Sequence, residues 1–101
     1  MATEPDIRRN DAESRYELGL NGERVGVAEY VDDGTVRTMT HTVVDPAHGG
    51  RGLGSALVRF ALDDIRSEQR TLVPECSMVR AFIRKHAEYE DLLEKGSVHE
   101  H

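Results

Sequence analysis

The stretch Val43–Leu57, which reads VVDPAHGGRGLGSAL, decides the fold of this chain. An apolar strand end leads through a turn into four glycines within six positions, and then into a segment with helical apolar spacing. Glycines allow a ligand to approach the backbone closely, and the first N–H groups of a helix have no partner within it. Together with the positive end of the helix dipole, these groups suit a phosphate or pyrophosphate. The stretch therefore predicts a site for a nucleotide-containing cofactor.

Two familiar phosphate-binding loops do not fit this sequence. A P-loop ends in Gly-Lys-Ser/Thr so that the lysine reaches the outer phosphates, whereas this run ends as Gly52–Ser55 without a lysine. The dinucleotide-binding fingerprint Gly-x-Gly-x-x-Gly opens a larger βαβ fold. Here the spacing is Gly50-x-Gly52-x-Gly54 in a chain of 101 residues, so the loop serves another kind of cofactor.

The composition predicts one domain with a core. The chain is 38% hydrophobic and 32% charged, an ordinary mixture for a soluble domain. A net charge of -6 argues against nucleic acid as the main partner and is compatible with cationic substrates such as amines. The single cysteine excludes an internal disulfide and, with no visible signal peptide or apolar span, predicts a cytoplasmic protein without a membrane partner. His99 and His101 alone make a poor metal site, so no metal is predicted.

Alternating apolar residues separated by tight turns predict that the domain begins with three antiparallel strands. Apolar residues alternate over Tyr16–Leu20, and the pairs Asn21-Gly22 and Asp33-Gly34 both favour tight hairpin turns. The third strand covers Thr35–Val44. Residues 1–14 are polar and aperiodic, and are predicted to form a flexible tail.

In the second half of the chain, the spacing of apolar residues predicts a helix, a strand and another helix. Apolar residues recur with helical spacing over Leu53–Ile65, and the short strand Thr71–Val73 stops at Pro74. The crossover makes this strand parallel to the third one. The second helix begins near Ser77, an N-cap candidate, with an apolar stripe that reaches Leu93. The result is an α+β fold of order βββαβα, a mixed sheet with helices packed on it, over residues 15–93, followed by a flexible tail at 94–101.

This order and its motifs resemble the small, single-domain members of the GNAT superfamily of acyl-CoA-dependent N-acetyltransferases. Their signature Arg/Gln-x-x-Gly-x-Gly/Ala reads here as residues 49–54, GGRGLG, with Gly49 in the first position. The strand motif His41–Val44 and the turn Pro74–Ser77 also match this group. A further helical pattern is formed by Ile83, His86, Tyr89 and Leu92. The resemblance covers Tyr16–Leu93.

The resemblance implies a minimal acyl-CoA N-acyltransferase fold, with acetyl-CoA as the cofactor and an unidentified amine of a small molecule or protein as the acceptor. The backbone N–H groups of the loop and helix start are expected to hold the pyrophosphate, and the preceding strand the pantetheine arm. The expected cofactor-binding residues are Val43, Val44, Gly50, Arg51, Gly52, Leu53, Gly54 and Ser55.

Cys76 is the candidate nucleophile. It lies just past a predicted strand and at the start of a predicted helix, where the thiol pKa falls and the thiolate is favoured. The resemblance places a proposed catalytic cysteine here, which would carry the acetyl group as a thioester. The alternative is a small buried apolar residue, the common fate of a free thiol.

His41 is the candidate base. It lies in the third predicted strand, with Met39 and Val43 expected on its face. Parallel neighbouring strands about 4.8 Å apart would bring it toward Cys76, where it could accept a proton from a thiol or an amine. The alternative is a half-buried polar residue of the strand.

A second function remains open at this stage. The resemblance implies that full-length members of the superfamily carry extra N-terminal helices that help shape the acceptor pocket. Only a hairpin separates the first two strands here, so the acceptor site would be open or completed by another protein. The chain could then be a non-catalytic module that binds CoA or a partner protein. The glycine cluster argues against a purely structural domain.

Overall fold

A computed structural model describes residues 5–48 and 52–94. Five strands form one sheet in chain order: β1 (Asp6–Asn10), β2 (Arg15–Leu20), β3 (Glu23–Asp33), β4 (Val36–Val44) and β5 (Thr71–Pro74). Two α-helices, α1 (Leu53–Ser67) and α2 (Ser77–Lys85), are accompanied by 3₁₀ turns at Asp11–Glu13, Pro46–His48 and Ala87–Leu92. The strands β1 to β4 pair antiparallel, and β4 pairs parallel with β5. The predicted α+β fold with a mixed sheet is confirmed.

One face of the sheet is covered and the other is open. Burial alternates along β2, where Tyr16, Leu18 and Leu20 are buried and the residues between them are not. Both helices pack on this face and contact each other. On the opposite face, Val31 is 59% exposed and Val43 is 44% exposed. Among the described residues, no helix is both long and apolar enough to span a membrane.

The strand β1 corrects the prediction of a flexible tail at residues 1–14. It pairs along its whole length with β2. On its helix-facing side, Ile7 packs against the core, and Arg9 forms an ion pair with Asp64 of α1 at 2.7 Å. The partner of Arg9 comes from 55 residues further along the chain, so the local pattern carries no sign of it. Residues 1–4 lie outside the described part.

The helix α2 is shorter than its apolar stripe predicts. It ends at Lys85, because the next segment is drawn onto α1 by Tyr89. The Tyr89 ring is buried, and its hydroxyl donates to Asp63 at 2.7 Å and accepts from Arg59 at 3.2 Å. Tyr89, which the sequence places in a helical pattern, therefore packs the segment after α2 against α1.

The segment after this turn is attached to the sheet. Leu93 bridges to Leu72 of β5 in parallel, and the Glu94 N–H donates to the Leu72 carbonyl at 2.8 Å. The prediction of a flexible tail is therefore wrong at Glu94, and residues 95–101 lie outside the described part.

A buried arginine ties the sheet to the end of α1. Arg37 of β4 is 2% exposed, and its guanidinium donates to both Asp32 oxygens at 2.7 and 2.8 Å. It also donates to the Tyr16 hydroxyl at 2.7 Å and lies 3.9 Å from the centre of the Tyr30 ring, in cation–π contact. The Tyr16 hydroxyl in turn donates to Asp64 at 2.8 Å. This network occupies the core position that an apolar side chain would otherwise fill.

Because of this network, we expect the free energy of unfolding to fall at acidic pH. The hydrogen bond from Arg37 holds the pKa of Asp32 below its ordinary value. A lowered carboxyl pKa stabilises the fold above the unfolded value of about 4, and this contribution is lost as the pH falls through the folded value. Urea unfolding at pH 7 and pH 3 should show this loss. Asp32→Asn should reduce the pH dependence, and equal dependence in both proteins would contradict the assignment.

Candidate active site

The start of α1 carries a set of free backbone donors. Gly52 is its N-cap, with a φ of +75° that favours glycine, and the first helical bond runs from the Ala56 N–H to the Gly52 carbonyl at 3.0 Å. The N–H groups of Leu53, Gly54 and Ser55 precede that bond, so helix geometry leaves them without partners inside the helix. The first turn is uncharged, so these groups and the helix dipole suit an anion.

The predicted ligands Gly50 and Arg51, together with Gly49, lie outside the described residues.

Gly54 lies close to both α2 and β4. A Cβ at this position would lie 3.3 Å from Met78 Sδ and 3.7 Å from Val44 Cγ2. The absence of a side chain lets the start of α1 pack closely against both α2 and β4. The free N–H groups of α1 are consequently held beside the end of β4.

Within residues 5–48 and 52–94, no strand pairs with one side of the end of β4. Pairing with β5 ends at Met39 and Pro74, while β4 continues to Val44. We call the resulting gap, between β4 residues 40–44 and the start of α2, the split. The Cys76 N–H closes its inner end by donating to the Met39 carbonyl at 3.0 Å.

The hydrogen-bonding phase of β4 decides which residues face the split. The Asp45 N–H donates to the Val25 carbonyl at 2.7 Å, and antiparallel pairs alternate between bonded and non-bonded. His41 and Val43 therefore bond to β3, whereas the backbone groups of Thr42 and Val44 face the split. Of the two predicted pantetheine residues, Val44 has its backbone groups available and Val43 does not. Thr42 is a site residue that the sequence analysis missed.

A β-bulge places His41 on the open face. Tyr30 pairs with Met39 and Glu29 pairs with His41, so Thr40 is an extra residue in β4. The bulge reverses the alternation of the strand. Met39 is fully buried and His41 is exposed, so the prediction that they share a face is wrong.

The same bulge separates His41 from Cys76. Side chains of neighbouring strand residues point to opposite faces, and Thr42, next to His41, is the one that contacts Cys76. The structure therefore does not bring the two predicted catalytic residues together. His41 lies instead beside Glu29, its cross-strand partner.

Cys76 occupies the N-cap position of α2, one residue earlier than the predicted cap Ser77. Its side chain is buried, and its Sγ lies 3.4 Å from Thr42 Oγ1. Burial raises the pKa of the thiol, but hydrogen bonds from the Thr42 side chain and from the backbone N–H groups of Val79 and Met78 lower it, and the net pKa lies below its ordinary value. The site therefore favours a thiolate, as the position of Cys76 at a helix start predicts.

Arg80 fixes the turn that carries this cysteine. Its guanidinium reaches back along α2 and donates to the carbonyls of Pro74 at 3.0 Å and Glu75 at 2.8 Å. The turn between β5 and α2 is thus held by a side chain as well as by the backbone.

A groove runs from the start of α1 along α2. It has a volume of about 140 Å³, and its lining includes Ser55, Met78, Phe82, Lys85 and His86. His86 stacks on Phe82 at 4.2 Å between ring centres. The lining therefore combines Ser55 from the first turn of α1 with Lys85 from the last turn of α2.

A comparison with protein families defines the class of this protein. A family model described as GCN5-related N-acetyl-transferase matches residues 15–92. The chain therefore belongs to the GCN5-related N-acetyltransferase family, whose members generally use acetyl-CoA. No curated protein sequence gives a significant match.

Solved structures share the fold. A GCN5-like protein from Staphylococcus aureus superposes with a TM-score of 0.67 at 22% identity, covering 94% of this chain and 96% of that one. The ribosomal-protein-S18-alanine N-acetyltransferase from Escherichia coli gives 0.57 at 24% identity, over 59% of this chain and 39% of that one. The ribosomal-protein-alanine N-acetyltransferase from Brucella melitensis gives 0.54 at 17% identity, over 86% and 65%. The chain thus spans about two fifths and two thirds of the two ribosomal-protein enzymes.

Proposed function

We propose that this protein transfers the acetyl group of acetyl-CoA to an amine. The proposal rests on three features that follow one another along the site: the free N–H groups of α1, the split beside Val44, and the thiol of Cys76. These features suit the pyrophosphate, the pantetheine arm and the thioester in the order in which acetyl-CoA presents them. The fold and family membership support the same reaction.

The chain supplies each binding contact from its backbone. The N–H groups of residues 52–55 hold the pyrophosphate, and Gly50 and Arg51 are further ligands expected from the sequence. The backbone groups of Val44 hydrogen-bond to the pantetheine arm, which takes the place of a neighbouring strand. The helix dipole of α1 favours the negative charge at this position.

Cys76 provides the route through a thioester. Its thiolate attacks the carbonyl carbon of the bound thioester, so that a new carbon–sulfur bond forms and the bond to the CoA sulfur breaks. The CoA thiolate leaves and takes up a proton. A neutral amine then attacks the acetyl group on Cys76, forms the amide, loses a proton and releases the Cys76 thiolate.

The acceptor approaches from the open face in this proposal. His41 is exposed there beside Glu29, so it can take the proton of an amine, which must be neutral to attack. The names of two structural neighbours specify a ribosomal-protein alanine as the acceptor. A protein amine is therefore the first acceptor to test, before polyamines and other small amines.

Ser55→Glu tests the anion site through effects of opposite sign. A carboxylate in the first turn of α1 stabilises the helix by about 0.3–1 kcal/mol, but it repels the pyrophosphate. We expect higher thermal stability and at least about tenfold weaker acetyl-CoA binding by calorimetry, since two like charges about 4 Å apart near a protein surface repel each other by up to about 4 kcal/mol. Ser67→Glu makes the same charge change at the other end of α1 and should leave affinity unchanged. Equal affinity in both variants would rule out this pyrophosphate site.

A further inference from the structure

Thr42 is the β4 residue that contacts the thiol. Its side chain lies on the helix-covered face, with Oγ1 3.4 Å from Cys76 Sγ, and its backbone faces the split. We propose that Thr42 is the positioning residue for Cys76, holding its thiolate in the split through the side-chain hydroxyl and the backbone N–H. This inference rests on the proposed role of Cys76 as nucleophile.

The donors around the sulfur come from two different elements. The backbone N–H groups of Met78 and Val79, in the first turn of α2, and of Thr42, on β4, lower the pKa of the thiol. The neutral thiol donates to Thr42 Oγ1 at 3.4 Å, and the hydroxyl can donate in return once the thiol is ionised. Donors from one helix end alone would fix the sulfur relative to α2 only. The strand donors also fix it relative to the split, where the thioester carbonyl would lie. Because Thr42 is β-branched, its χ1 is stiff and its hydroxyl is held in place.

The bulge at Thr40 places the side chain of Thr42, and not that of His41, on the face of β4 where Cys76 lies. If β4 alternated regularly from the buried Met39, residue 41 would face the helices and residue 42 would face the open side. The extra residue exchanges the two, so the hydroxyl of Thr42 meets the sulfur and the imidazole of His41 is left on the open face. The bulge therefore separates a group that stabilises the thiolate from a group that can accept a proton from the acceptor.

The hydroxyl keeps its own proton throughout. It donates a hydrogen bond to the sulfur while the sulfur is negative, and this bond weakens when the sulfur becomes part of a neutral thioester. Loss of the hydroxyl should therefore raise the pKa of the thiol and leave the backbone contacts to acetyl-CoA intact.

The test is the pH dependence of Cys76 alkylation by iodoacetamide, followed by intact mass. Cys76 is the only cysteine in the chain, so the rate reports on this thiol alone. We expect Thr42→Val to raise the apparent pKa by about one unit, which is about tenfold slower alkylation at neutral pH. Thr42→Ser should restore the wild-type profile, because it keeps the hydroxyl. Thr38→Val, on the open face of the same strand, is the matched control and should change nothing.

Two results would overturn the inference. One is a Thr42→Val profile that superimposes on the wild type, and the other is a Thr42→Ser profile that matches Thr42→Val. If Thr42→Val does not fold, Thr42→Ala and Thr42→Ser give the same comparison. Alkylation requires no acetyl-CoA, so a protein that never becomes acetylated would contradict the proposed thioester route, while the titration still decides whether Thr42 sets the pKa of the thiol.

Discussion

Cys76→Ala is expected to abolish the acetyl adduct that the wild-type protein forms with acetyl-CoA in the absence of an acceptor. It should also lower the turnover of acetyl-CoA with an amine by about a hundredfold or more, the scale seen when a covalent nucleophile is removed. Intact-mass analysis detects the adduct, and release of the CoA thiol measures turnover. Because alanine is small and the thiol is buried at a helix start, the fold should be retained.

The reason for so large an effect is the environment of the sulfur. Hydrogen bonds from Thr42 and from the start of α2 make Cys76 a thiolate at lower pH than an ordinary cysteine. The neighbouring Ser77→Ala is the matched control, since Ser77 is exposed and its hydroxyl belongs to the same helix start. It should keep both the adduct and the turnover.

Two outcomes would change the account of Cys76 in different ways. If no adduct forms and Cys76→Ala retains full turnover, the amine attacks the CoA thioester directly and the covalent route is wrong. If neither protein turns over acetyl-CoA with any amine, the chain is a module that binds CoA or a partner protein.

Arg37→Met is expected to lower the free energy of unfolding by about 3 kcal/mol. Removal of one partner from a buried ion pair costs about 3–5 kcal/mol, because the remaining charge is left without compensation, and the lower end applies here because the Asp32 side chain is 32% exposed. Here Asp32 loses both of its short hydrogen bonds, although Arg70 lies 3.6 Å from it and partly compensates. The stacking on Tyr30 is lost as well. For a domain of this size the melting temperature should fall by more than about 10 °C.

Arg24→Met is the control for this substitution. Arg24 is 55% exposed and lies 3.7 Å from Glu17, so its loss should change stability by no more than about 0.5 kcal/mol. Urea unfolding of the three proteins gives the comparison. A similar effect for Arg37 and Arg24 would show that the buried network contributes no more than a surface ion pair.

The features that sequence predicts well here are those with local physical causes. The hairpins follow from Asn21-Gly22 and Asp33-Gly34, and the crossover helix follows from its apolar spacing. The parallel pairing of β4 and β5 follows from that crossover. The helix start at Leu53, with the positive φ of Gly52 before it, follows from glycine and helix geometry, which act within a few residues.

The features that sequence does not predict depend on distant partners or on one extra residue. The strand β1 is stabilised on its inner face by Arg9, whose partners Asp64 and Glu68 lie far along the chain. The end of α2 is set by Tyr89 and its bonds to α1, with no glycine or proline to mark it. The bulge at Thr40 leaves no trace in a run of Thr and Val residues, so regular alternation predicts His41 on the same face as Met39, where the structure does not place it.

The central claim is that acetyl-CoA lies across the start of α1 and the split of β4. Titration of the protein with acetyl-CoA, followed by backbone amide NMR, tests it most directly. We predict saturable shifts concentrated at Thr42, Val44 and residues 52–56, with little change at the Arg37 network. Unchanged spectra at millimolar acetyl-CoA, or shifts confined to the open face of the sheet, would contradict the account.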